Sequence, residues 1–191
     1  RIITNPEWQV PLSIALDEML PKLKSDSGYL NRNRLRLIDK NRDTIAYHQV
    51  DWNTVSAETF DLTLSQESGK NNSLGRVKFM FPNPYSVYLH DTPGKQSFSK
   101  DFRALSHGCV RVQHPEMLAD YLVREFSRPN HDVDVISMIN KGIHQEIALN
   151  TPVDLYIHYI TCEADEDLNI FFYNDIYGMD KKELKKLEFL Q

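Results

Sequence analysis

The chain has 191 residues, 41% of them hydrophobic and 26% charged, with seven Gly and nine Pro. That is ample for one ordinary domain with a buried core, too apolar for disorder and too poor in Gly and Pro for a fibre. Twenty-two Lys and Arg against 27 Asp and Glu leave a formal charge of −5, which argues against nucleic-acid binding, and no run approaches the ~18 consecutive apolar residues of a membrane-spanning helix.

The chain opens on Arg1 and shows no charged region followed by an apolar run, so the expectation is a processed N-terminus or a domain of a longer protein. Residues 11–20 predict a short helix, with Ile14, Leu16, Met19, Leu20 and Leu23 as an imperfect apolar stripe that Pro21 should kink or stop. The runs 34–38 and 44–48 predict a β-hairpin around the polar turn 39–43. Residues 50–75 are polar and irregular, and a cap or lid inserted within about 50–75 is the expected use of so long a stretch.

Residues 76–81 alternate cleanly, Pro82-Asn83-Pro84 turns the chain, and 86–90 follow as a second strand. A period of two puts Val77, Phe79 and Phe81 on one face, and directs Tyr88 and His90 together away from Val87 and Leu89. Pro115 suits a first helical position, with Met117, Leu118, Tyr121, Leu122 and Phe126 as the apolar face behind it. A second helix is expected over 133–140, ended by Gly142. Residues 153–160 and 169–173 predict strands flanking an acidic turn, and Asp180 is expected to cap a last helix over 181–190. The sum is an α+β domain spanning 1–191: a mostly antiparallel β sandwich or barrel-like core with flanking helices.

The densest cluster of reactive side chains is His90, His107, Cys109 and Arg111. Cysteine is the best side-chain nucleophile at neutral pH, as the thiolate that a nearby His or Arg favours. Ser106-His107-Gly108-Cys109-Val110-Arg111 places an imidazole two residues before the thiol and a guanidinium two after it. With the chain extended on either side of Gly108, all three would lean to one face. The N–H of Gly108 or Cys109 could line an oxyanion hole, and His90, ending its own strand, could serve as general base.

Blander uses compete. Cys is among the most buried residue types, and Cys162 is read as core filler. A zinc site from His90, His107, Cys109 and His114 lacks the paired ligand spacing such sites use. His48, His131, His144 and His158 are read as surface or hydrogen-bonded histidines, and Tyr47 and Trp52 as structural. Two cysteines make no disulfide framework, and no metal or cofactor is called for.

The order His90, then about fifteen residues, then Ser106-His107-Gly108-Cys109 resembles the signature of the bacterial L,D-transpeptidase (YkuD-type) catalytic domain. So do Trp8-Gln9-Val10-Pro11, the stretch Asn72 to Asn83, Tyr88 to Pro93 and Asp175 to Asp180, which are similar to the large periplasmic branch with an inserted cap. The resemblance implies that Cys109 attacks the carbonyl after the diamino acid of a peptidoglycan tetrapeptide stem and expels the terminal D-Ala. A second stem's amine would capture the thioester in a 3→3 cross-link. It further implies His90 as base, oriented by the backbone carbonyl of Asp91, and His107, Gly108 and Cys109, with Ser106, around the oxyanion. Arg111 and Tyr88 would contact substrate. Carbapenem acylation, a periplasmic or cell-envelope location and a membrane anchor outside these residues belong to the same implication. An L,D-carboxypeptidase using the same thioester and a catalytically silent peptidoglycan-binding module remain alternatives. A papain-like protease fits less well, because there the nucleophile precedes the histidine.

Overall fold

In the computed structural model, which describes residues 1–127 and 133–188, the chain divides into two units, Arg1–Pro152 and Val153–Gln191. In the first, β1 (Ile2–Thr4) and β2 (Trp8–Gln9) lead into α1 (Leu12–Ile14), a π-helical turn Ala15–Met19 and α2 (Leu20–Ser25). Pro21 does not stop this helix as expected, because the wider π turn comes just before it. The Leu20 N–H bonds the Ala15 carbonyl five residues back, which leaves Pro21 in the first turn of α2, where no N–H is required.

α3 (Tyr29–Arg32) precedes β3 (Leu35–Ile38) and β4 (Thr44–Ile45), the expected hairpin, with Leu37 opposite Ile45. Asp39 closes its turn by accepting the N–H groups of Asn41 and Asp43, each at 2.9 Å. β4 is shorter than the 44–48 run, since Tyr47–Gln49 wind into a 3-10 turn. Tyr47 stacks on the buried Trp52 and accepts its indole N–H at 3.0 Å.

The polar stretch 50–75 contains a strand that its composition hides. β5 (Thr63–Gln66) pairs with both β2 and β3, so the second sheet runs β2-β5-β3-β4. Its lone large apolar residue, Leu64, is buried, and Gln66 is satisfied by bonds to the Asn33 carbonyl and the Ser73 N–H. This sheet packs on Ala15, Met19, Leu23, Trp52 and Phe60.

β6 (Val77–Phe79), β7 (Leu89–His90), β8 (Val110–Arg111), α4 (Pro115–Phe126), α5 (Val135–Lys141) and β9 (Gln145–Ile147) complete the unit. Their sheet runs β8-β7-β6-β1-β9, antiparallel except for the β7–β8 pair. Val77 and Phe79 share the buried face with Ile2 and Ile147, under Ala119, Val123, Val135 and Ile139 of α4 and α5. α4 begins at Pro115 as expected but buries a different stripe: Pro115, Ala119 and Val123 face the sheet, while Met117 and Tyr121 are exposed. The smaller side chains at i, i+4 and i+8 let the helix approach the strands closely, with Leu118 and Leu122 at the margin. α5 starts at Val135, capped by Asp134, and ends at a left-handed Gly142. β9 goes unanticipated because Gln145-Glu146-Ile147 carries one apolar residue. Both sheets are open; the α+β, mostly antiparallel architecture stands without a closed barrel.

In the second unit, residues 153–160 pair with no strand. The hairpin forms further on, from β10 (Cys162–Ala164) and β11 (Ile170–Phe172), around a turn in which Asp165 accepts the N–H groups of Asp167 and Asn169. α6 (Met179–Glu188) is capped by Asp175, whose carboxylate accepts the Met179 N–H at 2.8 Å; Asp180 instead accepts the Thr161 hydroxyl. Cys162 is exposed, a correction to its reading as core filler, because this short hairpin buries neither face. His131 and residues 189–190 of the expected last helix lie outside the described residues.

Candidate active site

His90 ends β7 and is buried, 6% exposed. Its Nδ1 is engaged by the backbone carbonyl of Asp91, which places the ring proton on Nδ1 and leaves Nε2 with a free lone pair. Burial lowers the His90 pKa below its ordinary value; the Asp91 carbonyl opposes this, and the charges of Arg111 and Lys78 add to it. The imidazole is therefore held neutral.

The carbonyl that orients His90 is itself fixed. The Asp91 carboxylate is buried and accepts the N–H groups of Arg76 at 2.8 Å and Thr92 at 2.7 Å, and the Lys95 ammonium at 2.6 Å. Gly75 makes room for it: φ is +61° there, and a Cβ would lie 2.2 Å from Asp91 Oδ2.

Cys109 arrives on a tight turn rather than on an extended strand. Residues 106–108 bend, Gly108 has φ +129°, and the Ser106 hydroxyl donates to the Cys109 carbonyl at 2.7 Å while accepting the Gly108 N–H at 3.2 Å. From there the chain enters β8 alongside β7, with Leu89 beside Val110 and His90 beside Arg111. The Val110 N–H bonds the Tyr88 carbonyl at 3.1 Å and the Val112 N–H bonds that of His90 at 2.8 Å. Strand alternation then gives Tyr88 and His90 one face, shared with Cys109 and Arg111 on the neighbouring strand.

That face lines a cleft of about 1200 Å³ within the first unit, together with Trp8, Glu18 and Lys78. The Tyr88 hydroxyl is pushed up to about 12, by burial and then by the adjacent Cys109 side chain, and so stays protonated. Its ring meets that of His90 edge-on at 5.8 Å. Lys78, opposite His90 on β6, places its ammonium 3.8 Å above the Tyr88 ring centre. Burial lowers the Lys78 pKa and the nearby Cys109 raises it.

The structure thus brings Tyr88, His90, Asp91, Ser106, Gly108, Cys109 and Arg111 to one edge of the five-stranded sheet. His107 lines the same cleft, but the bend at 106–108 turns its ring to Glu18, with Nε2 2.6 Å from that exposed carboxylate. Among the described residues no three His, Cys, Asp or Glu side chains converge as metal ligands. Sequence reasoning missed Lys78, Trp8 and Glu18. For Lys78 the signal was present, since alternation about Val77 and Phe79 sends it to the side away from the core. A neutral base, a free thiol and a protonated phenol along one wall suit acyl transfer through a thioester.

The family model described as the L,D-transpeptidase catalytic domain (YkuD) matches residues 1–154, nearly coincident with the first unit. A Haemophilus influenzae protein named "Putative L,D-transpeptidase" is 32% identical over 182 residues, covering 95% of this chain and 36% of that protein. The chain therefore spans about a third of the length of this curated relative.

Proposed function

The chain belongs to the L,D-transpeptidase catalytic-domain family, and from that premise we propose that it forms 3→3 cross-links in peptidoglycan through a thioester on Cys109. The observation that carries this reading is the in-register pairing of β7 with β8, which sets Tyr88, His90, Cys109 and Arg111 on one wall of the cleft.

His90 Nε2 takes the Cys109 proton, and the thiolate attacks the carbonyl that follows the diamino acid of a tetrapeptide stem. The Gly108 N–H is already held by Ser106, so the Cys109 N–H and the Tyr88 hydroxyl face the developing oxyanion. Collapse breaks the C–N bond, and His90 returns its proton to the departing D-Ala amine. The amine of a second stem then attacks the thioester; His90 removes its proton, and the thiolate leaves and is reprotonated. Arg111 positions the donor stem. His107 flanks the entrance of the nucleophile turn, paired with Glu18.

Gln66, Ser68, Ser73 and Leu74, from the stretch expected to form the cap, line the cleft, and we assign 50–75 the role of its far wall, within one catalytic domain. The substrate would place the enzyme in the periplasm or cell envelope. Among the described residues no helix is long and apolar enough to cross a membrane.

Intact-mass spectrometry after incubation with a carbapenem tests the nucleophile. The expected result is a single adduct that persists in Cys162→Ala and vanishes in Cys109→Ala. Incubation with purified tetrapeptide stems then reads the acceptor: cross-linked dimer supports the transpeptidase, whereas tripeptide alone assigns a carboxypeptidase. Folded, reduced protein that gains no adduct overturns the catalytic reading.

A further inference from the structure

Among the described residues, two cations of the cleft, Lys78 and Arg111, lack an acidic partner. The nearby Arg36, Arg76 and Lys95 are each neutralised, by Glu7 at 2.7 Å, Glu116 at 2.6 Å and Asp91 at 2.6 Å. Among the described residues Lys78 and Arg111 take part in no ion pair. The Arg111 Nε is buried with no hydrogen-bond partner, and the Lys78 ammonium rests on the Tyr88 ring, a contact that leaves its N–H donors unused. Both residues are half-buried, and partly withdrawing two cations from water without pairing them is unfavourable unless an anion occupies the space between them.

Their placement says what that anion is next to. Lys78 stands opposite His90 on β6 and Arg111 stands beside His90 on β8, so the two flank the base in one row across three strands. Cys109 lies two positions before Arg111, on the same face. The acidic side chains that line the cleft are engaged elsewhere, Glu7 by Arg36 and Glu18 by His107.

We propose that Lys78 and Arg111 form a carboxylate subsite that grips the free carboxylate of the residue expelled from the donor. The proposal rests on Cys109 being the acylated nucleophile. When Sγ attacks a peptide carbonyl, the leaving amine belongs to the next residue, and that residue's carboxyl group is bonded to the same Cα. Only a donor ending at that residue offers a charged carboxylate there; a chain one residue longer offers a neutral amide. The subsite thereby selects peptides from which a single terminal amino acid departs, and Lys78 becomes a specificity-determining residue.

The test uses the first reagent pair that separates charge from thiol reactivity. In a Cys162→Ser background, the alkylation rates of Cys109 by iodoacetate and by iodoacetamide are followed by intact mass, relative to free cysteine. A variant that merely changes thiolate content moves both rates together, so their ratio isolates the carboxylate. Lys78→Met and Arg111→Gln should each lower the iodoacetate-to-iodoacetamide ratio on the order of tenfold, with Lys78→Arg retaining it. Tetrapeptide donors with a free and an amidated C-terminus should lose their discrimination in the same two variants. Unchanged reagent ratios overturn the subsite. Reduced ratios with no preference for the free-acid donor in the unmodified protein overturn its assignment to the leaving residue. Alkylation without any acylation by peptide or carbapenem would instead overturn the transpeptidase reading, while the reagent ratio still decides the anion site.

Discussion

His90 and Cys109 reach the same cleft from backbones secured in opposite ways. His90 and its neighbour Asp91 are buried, and Asp91 alone accepts three bonds from Arg76, Thr92 and Lys95 while its carbonyl orients the imidazole. The nucleophile turn is exposed over Ser106, His107 and Gly108, and its internal bonds are the two made by Ser106. His90, the base of the proposed reaction, is thus over-determined by its surroundings, whereas the Cys109 thiol sits where the two successive reactants of that proposal would reach it. Under the proposed mechanism, pre-organisation is concentrated in the half that would keep its tautomer, and access in the half that would change its covalent state.

Removing the base should have the largest chemical effect. His90→Asn keeps a polar group near the Asp91 carbonyl yet cannot accept the thiol proton, so carbapenem acylation of Cys109 should fall by about 10²–10⁴-fold, with the folded state retained in circular dichroism. The pH profile sharpens the same point. Burial, with Arg111 and Lys78 adding to it, favours the neutral imidazole, and a base works above its pKa. The acid limb of the acylation rate should therefore lie below the ordinary imidazole value of 6.5. Removing Lys78 or Arg111 should move that limb to higher pH. An acid limb at or above 6.5 in the unmodified protein would assign the proton to another group.

The next break is mechanical. Gly75→Ala drives a Cβ into the Asp91 carboxylate and strains a positive φ, which should cost about 2–4 kcal/mol, seen as a lower midpoint in thermal unfolding. Acylation should slow as well, because the Asp91 carbonyl that orients His90 moves with its side chain. An unchanged midpoint would show that this clamp yields, and the contrast between the two halves would lose its physical basis.

Much of this site was legible because strand alternation is a strict rule. The common face of Tyr88 and His90 follows from a period of two, and the same rule places Lys78, which no recognisable motif marks. The fold was legible where apolar residues mark the period, as in β3 and β6. It was hidden where polar side chains are buried and satisfied: Gln66 in β5 looks like loop until its partners Asn33 and Ser73 are known. Pro21 misled because its effect depends on a π turn beginning six residues earlier, and Asp180 because the carboxylate of Asp175 reaches the helix terminus first.

The smallest expected effect discriminates between the two histidines. His107 and Glu18 form an exposed pair, ionic only when the imidazole is protonated, with side chains 65% and 46% exposed. Water and salt screen such a pair, so its net contribution to stability is about 0–1 kcal/mol. The ring points along the cleft wall toward Glu18, while Nε2 of His90 is left open by its Nδ1 contact. His107→Gln and Glu18→Gln should accordingly change carbapenem acylation by about threefold or less, alike in size and with no shift of the acid limb. A loss beyond a hundredfold in His107→Gln with Glu18→Gln silent would transfer the proton to His107. It would also mean that the exposed turn carries both nucleophile and base, with the buried clamp around Asp91 reduced to scaffolding.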